Sequence, residues 1–181
     1  GLRIQFGSMA TGSGFAGGPD FHREDVLDGQ LRVNASAAVS TRQWQKYRAS
    51  ITAPHLAGNH LLLKMEASRR DYRSLEFYGM GMDSSRHSRT NYRLEDTSLE
   101  GSAAIRMARF IRFGGALGGL WTNVRQGERE DLTRTSRLFS DESAPGLMHQ
   151  ANFLRASIFG QIDYRDDPAG PKSGGHYVSE Y

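Results

Sequence analysis

The sequence predicts an all-β protein, an antiparallel up-and-down transmembrane β-barrel. About nine strands fall in this chain, as part of a larger barrel. Three observations carry this. Apolar and polar residues alternate with a period of two over runs of about ten residues, and successive side chains on a strand face opposite sides. The connections alternate between compact turns and variable, sometimes long, polar segments, as the two rims of such a barrel require. Finally, hydrophobic residues make up only 38% of the 181 residues, with 21 glycines and 10% aromatics. A barrel with a polar lumen gives this balance, because half its strand residues face water. Low apolar content also fits disorder, but the aromatics and the regular alternation argue against it. No run approaches the roughly 18 apolar residues of a spanning helix.

Taken in order, Leu2–Ala10 sets Leu2, Ile4 and Phe6 against Arg3 and Gln5, and Thr11–Gly14 turns the chain. Phe15–Arg23 is a Gly-rich strand, and Glu24–Gly29 a tight turn ending in the favoured pair Asp28-Gly29. Gln30–Ser40 places Leu31, Val33, Ala35, Ala37 and Val39 on one face and Arg32, Asn34 and Ser36 on the other. After Thr41–Gln43, Trp44–Ala53 opposes Tyr47, Ala49, Ile51 and Ala53 to Lys46, Arg48, Ser50 and Thr52. Pro54–Asn59 is a compact turn. His60–Arg70 is the cleanest strand: Leu61, Leu63, Met65 and Ala67 against Lys64, Glu66, Ser68 and Arg70.

A long polar loop is then expected from Asp71 to about Arg93. Leu99–Ala108 alternates again. Ala, Met and Arg also permit a helix over Ser102–Phe113, but no helix stop precedes the next strand, which favours a tight turn near Arg109–Arg112. Phe113–Asn123 is Gly-rich strand, Val124–Ala151 a second long loop, and Asn152–Tyr164 strand. Asp166–Gly175 is a Pro/Gly turn, and His176–Tyr181 begins a last strand.

The faces follow from the cost of placing charge in hydrocarbon. An arginine at the midplane on a lipid face costs on the order of 2–4 kcal/mol. Lys46, Arg48, Lys64, Glu66, Arg106, Arg155 and Asp163 are therefore expected to line the lumen. Leu31, Val33, Leu61, Leu63, Met65, Ile105, Ile158 and Ile162 are expected to face lipid. Trp44, Tyr47, Trp121, Tyr164 and Tyr177 lie near strand ends, where aromatic girdles sit; ordinary packing would use them as well. A soluble lipocalin-like barrel shares the alternation but turns its larger apolar residues inward.

Little in the chain points to catalysis. It has no cysteine, so no disulfide, zinc-thiolate site or thiol nucleophile. His22, His55, His60, His87, His149 and His176 show no metal-ligand spacing, and there is no G-x-S-x-G elbow. Gly12–Gly17 matches G-x-G-x-x-G, but Gly18-Pro19-Asp20 follows where a phosphate-binding helix must start. The net charge of +3 raises nucleic-acid binding. Its basic residues are spread along alternating faces instead of clustered, which argues against it. The expectation is a chain that is no enzyme, takes no cofactor and binds no nucleic acid. The basic loop run Arg86-His87-Ser88-Arg89 suits a solvated tip or contact with lipopolysaccharide and other anions.

Several stretches resemble the BamA/TamA type of bacterial outer-membrane protein, the surface-antigen family. The loop Arg70-Asp71-Tyr72 through Phe77-Tyr78-Gly79-Met80-Gly81-Met82-Asp83-Ser84-Ser85, then Thr90-Asn91-Tyr92, is similar to that family. So, in matching order, are Arg23–Leu31, Leu56–Asn59, Asp163–Pro168 and Gly174–Tyr177. The resemblance implies a barrel of sixteen strands that helps insert or translocate proteins at the bacterial outer membrane. It also implies client outer-membrane proteins, periplasmic or lipoprotein subunits, and lipid or lipopolysaccharide as partners. The family's first strand can serve as an open edge, which here would lie in Leu2–Ala10 or Phe15–Arg23.

The chain departs from the family in having no POTRA-like segment and no match to the lumen-loop motif. Residues 1–181 read as one barrel region, the N-terminal part of a barrel and a mature or excised piece. A small complete barrel is the alternative, because Tyr181 puts an aromatic at the last position. In function, an outer-membrane pore or surface antigen, or a soluble ligand-binding barrel, stand as the other readings.

Overall fold

The computed structural model describes residues 1–181 apart from Pro168; of Asp83 it describes the backbone alone. The strands are β1 (Leu2–Gly7), β2 (Ala16–Val26), β3 (Leu31–Ser40), β4 (Gln45–His55) and β5 (Leu61–Phe77). They continue with β6 (Thr90–Ala108), β7 (Ile111–Gln126), β8 (Thr133–Arg134), β9 (Asn152–Asp163) and β10 (His176–Glu180). All belong to one sheet in the order β1-β2-β3-β4-β5-β6-β7-β9-β10, each antiparallel to the next, while β8 makes a short parallel contact with β6. The sheet is open: among the described residues β1 pairs only with β2, and β10 only with β9. No helix of the described residues is long and apolar enough to cross a membrane.

One rim carries three of the four shortest connections. Leu27, Asp28 and Gly29 turn β2 into β3 with φ of 51°, 55° and 80°, the left-handed geometry that twisted hairpins favour. Residues 56–60 join β4 to β5, with φ of 49° at Ala57 and 66° at Gly58. Arg109 and Phe110 alone join β6 to β7. The β9–β10 connection belongs to this rim. Its Asp166 carboxylate accepts backbone N–H groups of Asp167, Lys172 and Ser173 at 2.9–3.1 Å. Pro168, part of the turn predicted there, lies outside the described residues.

Two expectations about strand limits need correction. The predicted turn Glu24–Gly29 begins too early, because β2 runs on to Val26 through a register break between Arg23 and Val26. More importantly, nearly half of the loop predicted from Asp71 to about Arg93 is strand. β5 runs to Phe77 and β6 begins at Thr90, so only residues 78–89 form the tip. The alternation fades there because neither face is simply apolar. Cross-strand ion pairs and an edge-on contact of Phe77 with Tyr92, centroids 6.4 Å apart, hold the hairpin instead.

Candidate functional site

Directly opposed residues of an antiparallel pair share a face, so the register assigns the two faces. One row runs Val33, Ile51, Met65, Gly101, Leu117, Ala156 across β3 to β9. The next runs Ala53, Leu63, Ala103, Gly115, Ile158. Leu31, Leu61, Ile105 and Ile162 lie on the same face, which makes a continuous apolar belt. Its large side chains are open: Met65 is 59% exposed, Leu117 59% and Leu154 80%. Burial falls mainly on the other face, at Ser50, Tyr72, Asp96 and Ala104. A water-soluble domain distributes them the opposite way.

The polar face carries all the residues predicted for a lumen: Lys46 and Arg48 on β4, Lys64 and Glu66 on β5, Arg106 on β6, and Arg155 and Asp163 on β9. The structure brings only some of them together. Glu66 takes Lys64 at 2.7 Å and Arg48 at 3.6 Å. Arg155 reaches Glu100 at 3.0 Å, although β7 lies between their strands. The residue between them in the row is Gly118. A Cβ there would stand 2.8 Å from the Leu99 carbonyl oxygen and 3.0 Å from Glu100 Cβ. The glycine leaves the gap that the guanidinium crosses. Glu66 and Glu100, opposed in register, are thus each neutralised, the first by Lys64 on its own strand and Arg48 on β4, the second by Arg155 on β9. Asp163 pairs with Arg165 at 2.8 Å, and Lys46 and Arg106 stand apart from these clusters.

Of the predicted girdle residues, Tyr47 and Trp121 lie on the apolar face in one row with Arg69 and Thr97, at the long-loop edge of the belt. Tyr177 opposes Ile162 on that face at the other edge, and its ring stacks on Tyr164 at 6.3 Å. Trp44 corrects the expectation. It is 1% exposed and stacks on Tyr72 at 4.9 Å. Tyr72 belongs to the polar face and is followed in register by Leu94 and Val124. This layer closes the polar face at the long-loop end. A strand-end aromatic reads the same whether it meets an interface or an interior, so the sequence offered no way to separate them.

The β7–β9 connection folds back over the same layer, which sequence reasoning missed. Asn91, fully buried, donates through Nδ2 to the carbonyls of Arg129 (3.1 Å) and Leu132 (3.2 Å), and its Oδ1 accepts from Arg129 N–H (3.3 Å). Thr135 donates to the Thr90 hydroxyl at 3.0 Å, and Phe139 packs edge-on against Phe77 at 4.9 Å. Pro145, Gly146 and Leu147 then cover Tyr92, Leu94 and Val124 around a cavity of about 220 Å³.

Two charge networks stiffen this end. Arg93 holds Asp71 bidentately at 2.6 and 2.8 Å and reaches Glu128 at 2.8 Å. Arg125 holds Glu95 at 3.2 Å. Nearer the tip, Glu76 accepts from Arg89, Arg129 and the Tyr78 hydroxyl. Hydrogen bonds from Arg89 and then Tyr78 pull its carboxyl down from an ordinary 4.5 to about 2.

No family model matches the sequence, and no curated protein does. Among solved structures, the fold is similar to that of BamA from Haemophilus ducreyi lacking POTRA domains 1–3. The TM-score is 0.62 and the identity 13%, over 99% of this chain and 33% of that one. The chain therefore spans about a third of the length of that BamA chain. Such a likeness defines the fold: an antiparallel β-barrel wall of the BamA kind, here as an open sheet.

Proposed function

We propose that the chain forms wall strands of a bacterial outer-membrane β-barrel of the protein-insertion or translocation type, with no enzymatic role. The membrane part of this reading rests on the open apolar belt backed by a charged, partly buried face. Hydrocarbon tolerates only sheets whose backbone is paired internally and whose lipid face is apolar. The belt spans nine residues of β6, Leu99–Met107, matching the roughly 9–11 residues of a tilted spanning strand.

The insertion part is supported by the likeness to BamA and by the outermost strand. Of the two candidate edges, β1 is the one that, among the described residues, has no second partner strand. Unpaired N–H and C=O groups on an edge template an incoming strand. Lipid, lipopolysaccharide and client outer-membrane proteins are the partners this reading requires.

The test uses the full-length protein in liposomes. Its presence should accelerate the folding of an added, urea-unfolded outer-membrane protein, and Ile4→Pro, which removes an edge donor, should abolish the acceleration. A barrel that inserts itself but leaves client folding unchanged would mean a pore or surface antigen. A chain that stays folded and monomeric without detergent would sink the membrane reading.

A further inference from the structure

Arg106 and Arg112 are direct partners beside the β6–β7 turn. Their neighbours Ile105 and Phe113 are partners on the apolar face, so both arginines point to the polar face. Both are half-buried, and among the described residues neither guanidinium has a hydrogen bond, ion pair or ring contact. Like charges directly opposed destabilise a sheet. Elsewhere on this face Arg70 and Arg155 each hold a carboxylate. A third cation, Arg109, sits in the turn over the Phe110 ring at 5.1 Å. Arg109, Phe110, Arg112, Gln161, Asp163 and Arg165 line a cavity of about 220 Å³. Its one carboxylate, Asp163, is already held by both Nε and Nη2 of Arg165 at 2.8 Å.

We propose that this arginine pair is a phosphate-binding site at the short-turn mouth of the polar face, for a water-soluble phosphate-bearing ligand. A single arginine fork is enough to satisfy a carboxylate, as at Asp163. Two opposed forks carry the charge and the number of donors that suit a phosphate group of about −1.5 to −2. A lipid headgroup fits worse. At this level the lipid-side residues are Ile105, Ile111, Phe113 and Ile162, and the arginines point away from them.

The test is a titration of the detergent-folded full-length protein with inorganic pyrophosphate, followed by phosphorus NMR and by the urea midpoint of unfolding. Saturable binding and a raised midpoint are expected. Affinity should drop about tenfold or more in Arg106→Gln and in Arg112→Gln, about 1.4 kcal/mol per tenfold, and should be unchanged in the loop variant Arg86→Gln. A parallel titration with phosphatidylglycerol micelles separates the sources. Absence of saturable pyrophosphate binding, equal affinity in the arginine variants, or saturation by the lipid alone would each overturn the proposal. Should a variant fail to fold, the pyrophosphate shift of the wild-type midpoint still decides: no shift refutes the site.

Discussion

At the scale of single residues, the decisive groups are small or charged. Gly118 is one. Gly118→Val should displace Glu100 and the Leu99 carbonyl and break the Arg155–Glu100 pair. We expect a loss of about 1–3 kcal/mol, the usual range for forcing extra methyls into a packed site, read as a lowered urea midpoint of the folded barrel. Glu76 is the other. Its lowered carboxyl contributes stability that is complete above its unfolded value and lost as pH falls toward about 2. Carbon NMR of the Glu76 carboxyl should show that titration, and Arg89→Gln should move it up toward the ordinary 4.5. An unshifted titration in the wild-type protein would refute the ion cluster at the tip. Neither feature was legible in the sequence. A glycine in a strand signals a close approach without naming what approaches, and Arg129 is too far along the chain from Glu76 for local reading.

Among the elements, β3, β4 and β9 were legible because one face is apolar along each strand apart from its ends. The outer halves of β5 and β6 were not, since cross-strand pairs such as Arg70–Asp96 and Arg93–Asp71 stabilise them without any apolar period. The β7–β9 connection is an element of the same kind, held by one buried amide instead of a pattern. Asn91→Ala should leave the backbone of residues 129–132 without partners. The cost should be about 1–3 kcal/mol, and trypsin should then cut at Arg134 and Arg137 in protein whose strands stay protected. Unchanged resistance would show that Phe139 and Thr135 suffice.

For the whole molecule the prediction concerns the faces. Leu63→Arg should cost on the order of 2–4 kcal/mol and block folding into lipid vesicles, whereas Lys64→Gln should fold normally; heat-modifiable mobility on a gel distinguishes the two. Equal tolerance would mean that the faces are reversed. The architecture and the polarity of each face could be read from the period of two, because a one-residue slip would invert every side chain. The stack of Trp44 on Tyr72 could not, because it depends on the exact register of the β4–β5 hairpin, which sets Gln45 against Asp71 and so brings Trp44 opposite Tyr72. The projecting hairpin has a further consequence. From Arg69, at the belt edge, β5 continues to Phe77, about 25 Å of strand, nearly the height of the belt again. In the membrane setting proposed above, a hairpin of that length holds the Arg86–Arg89 tip in water, beyond the headgroups that border the belt.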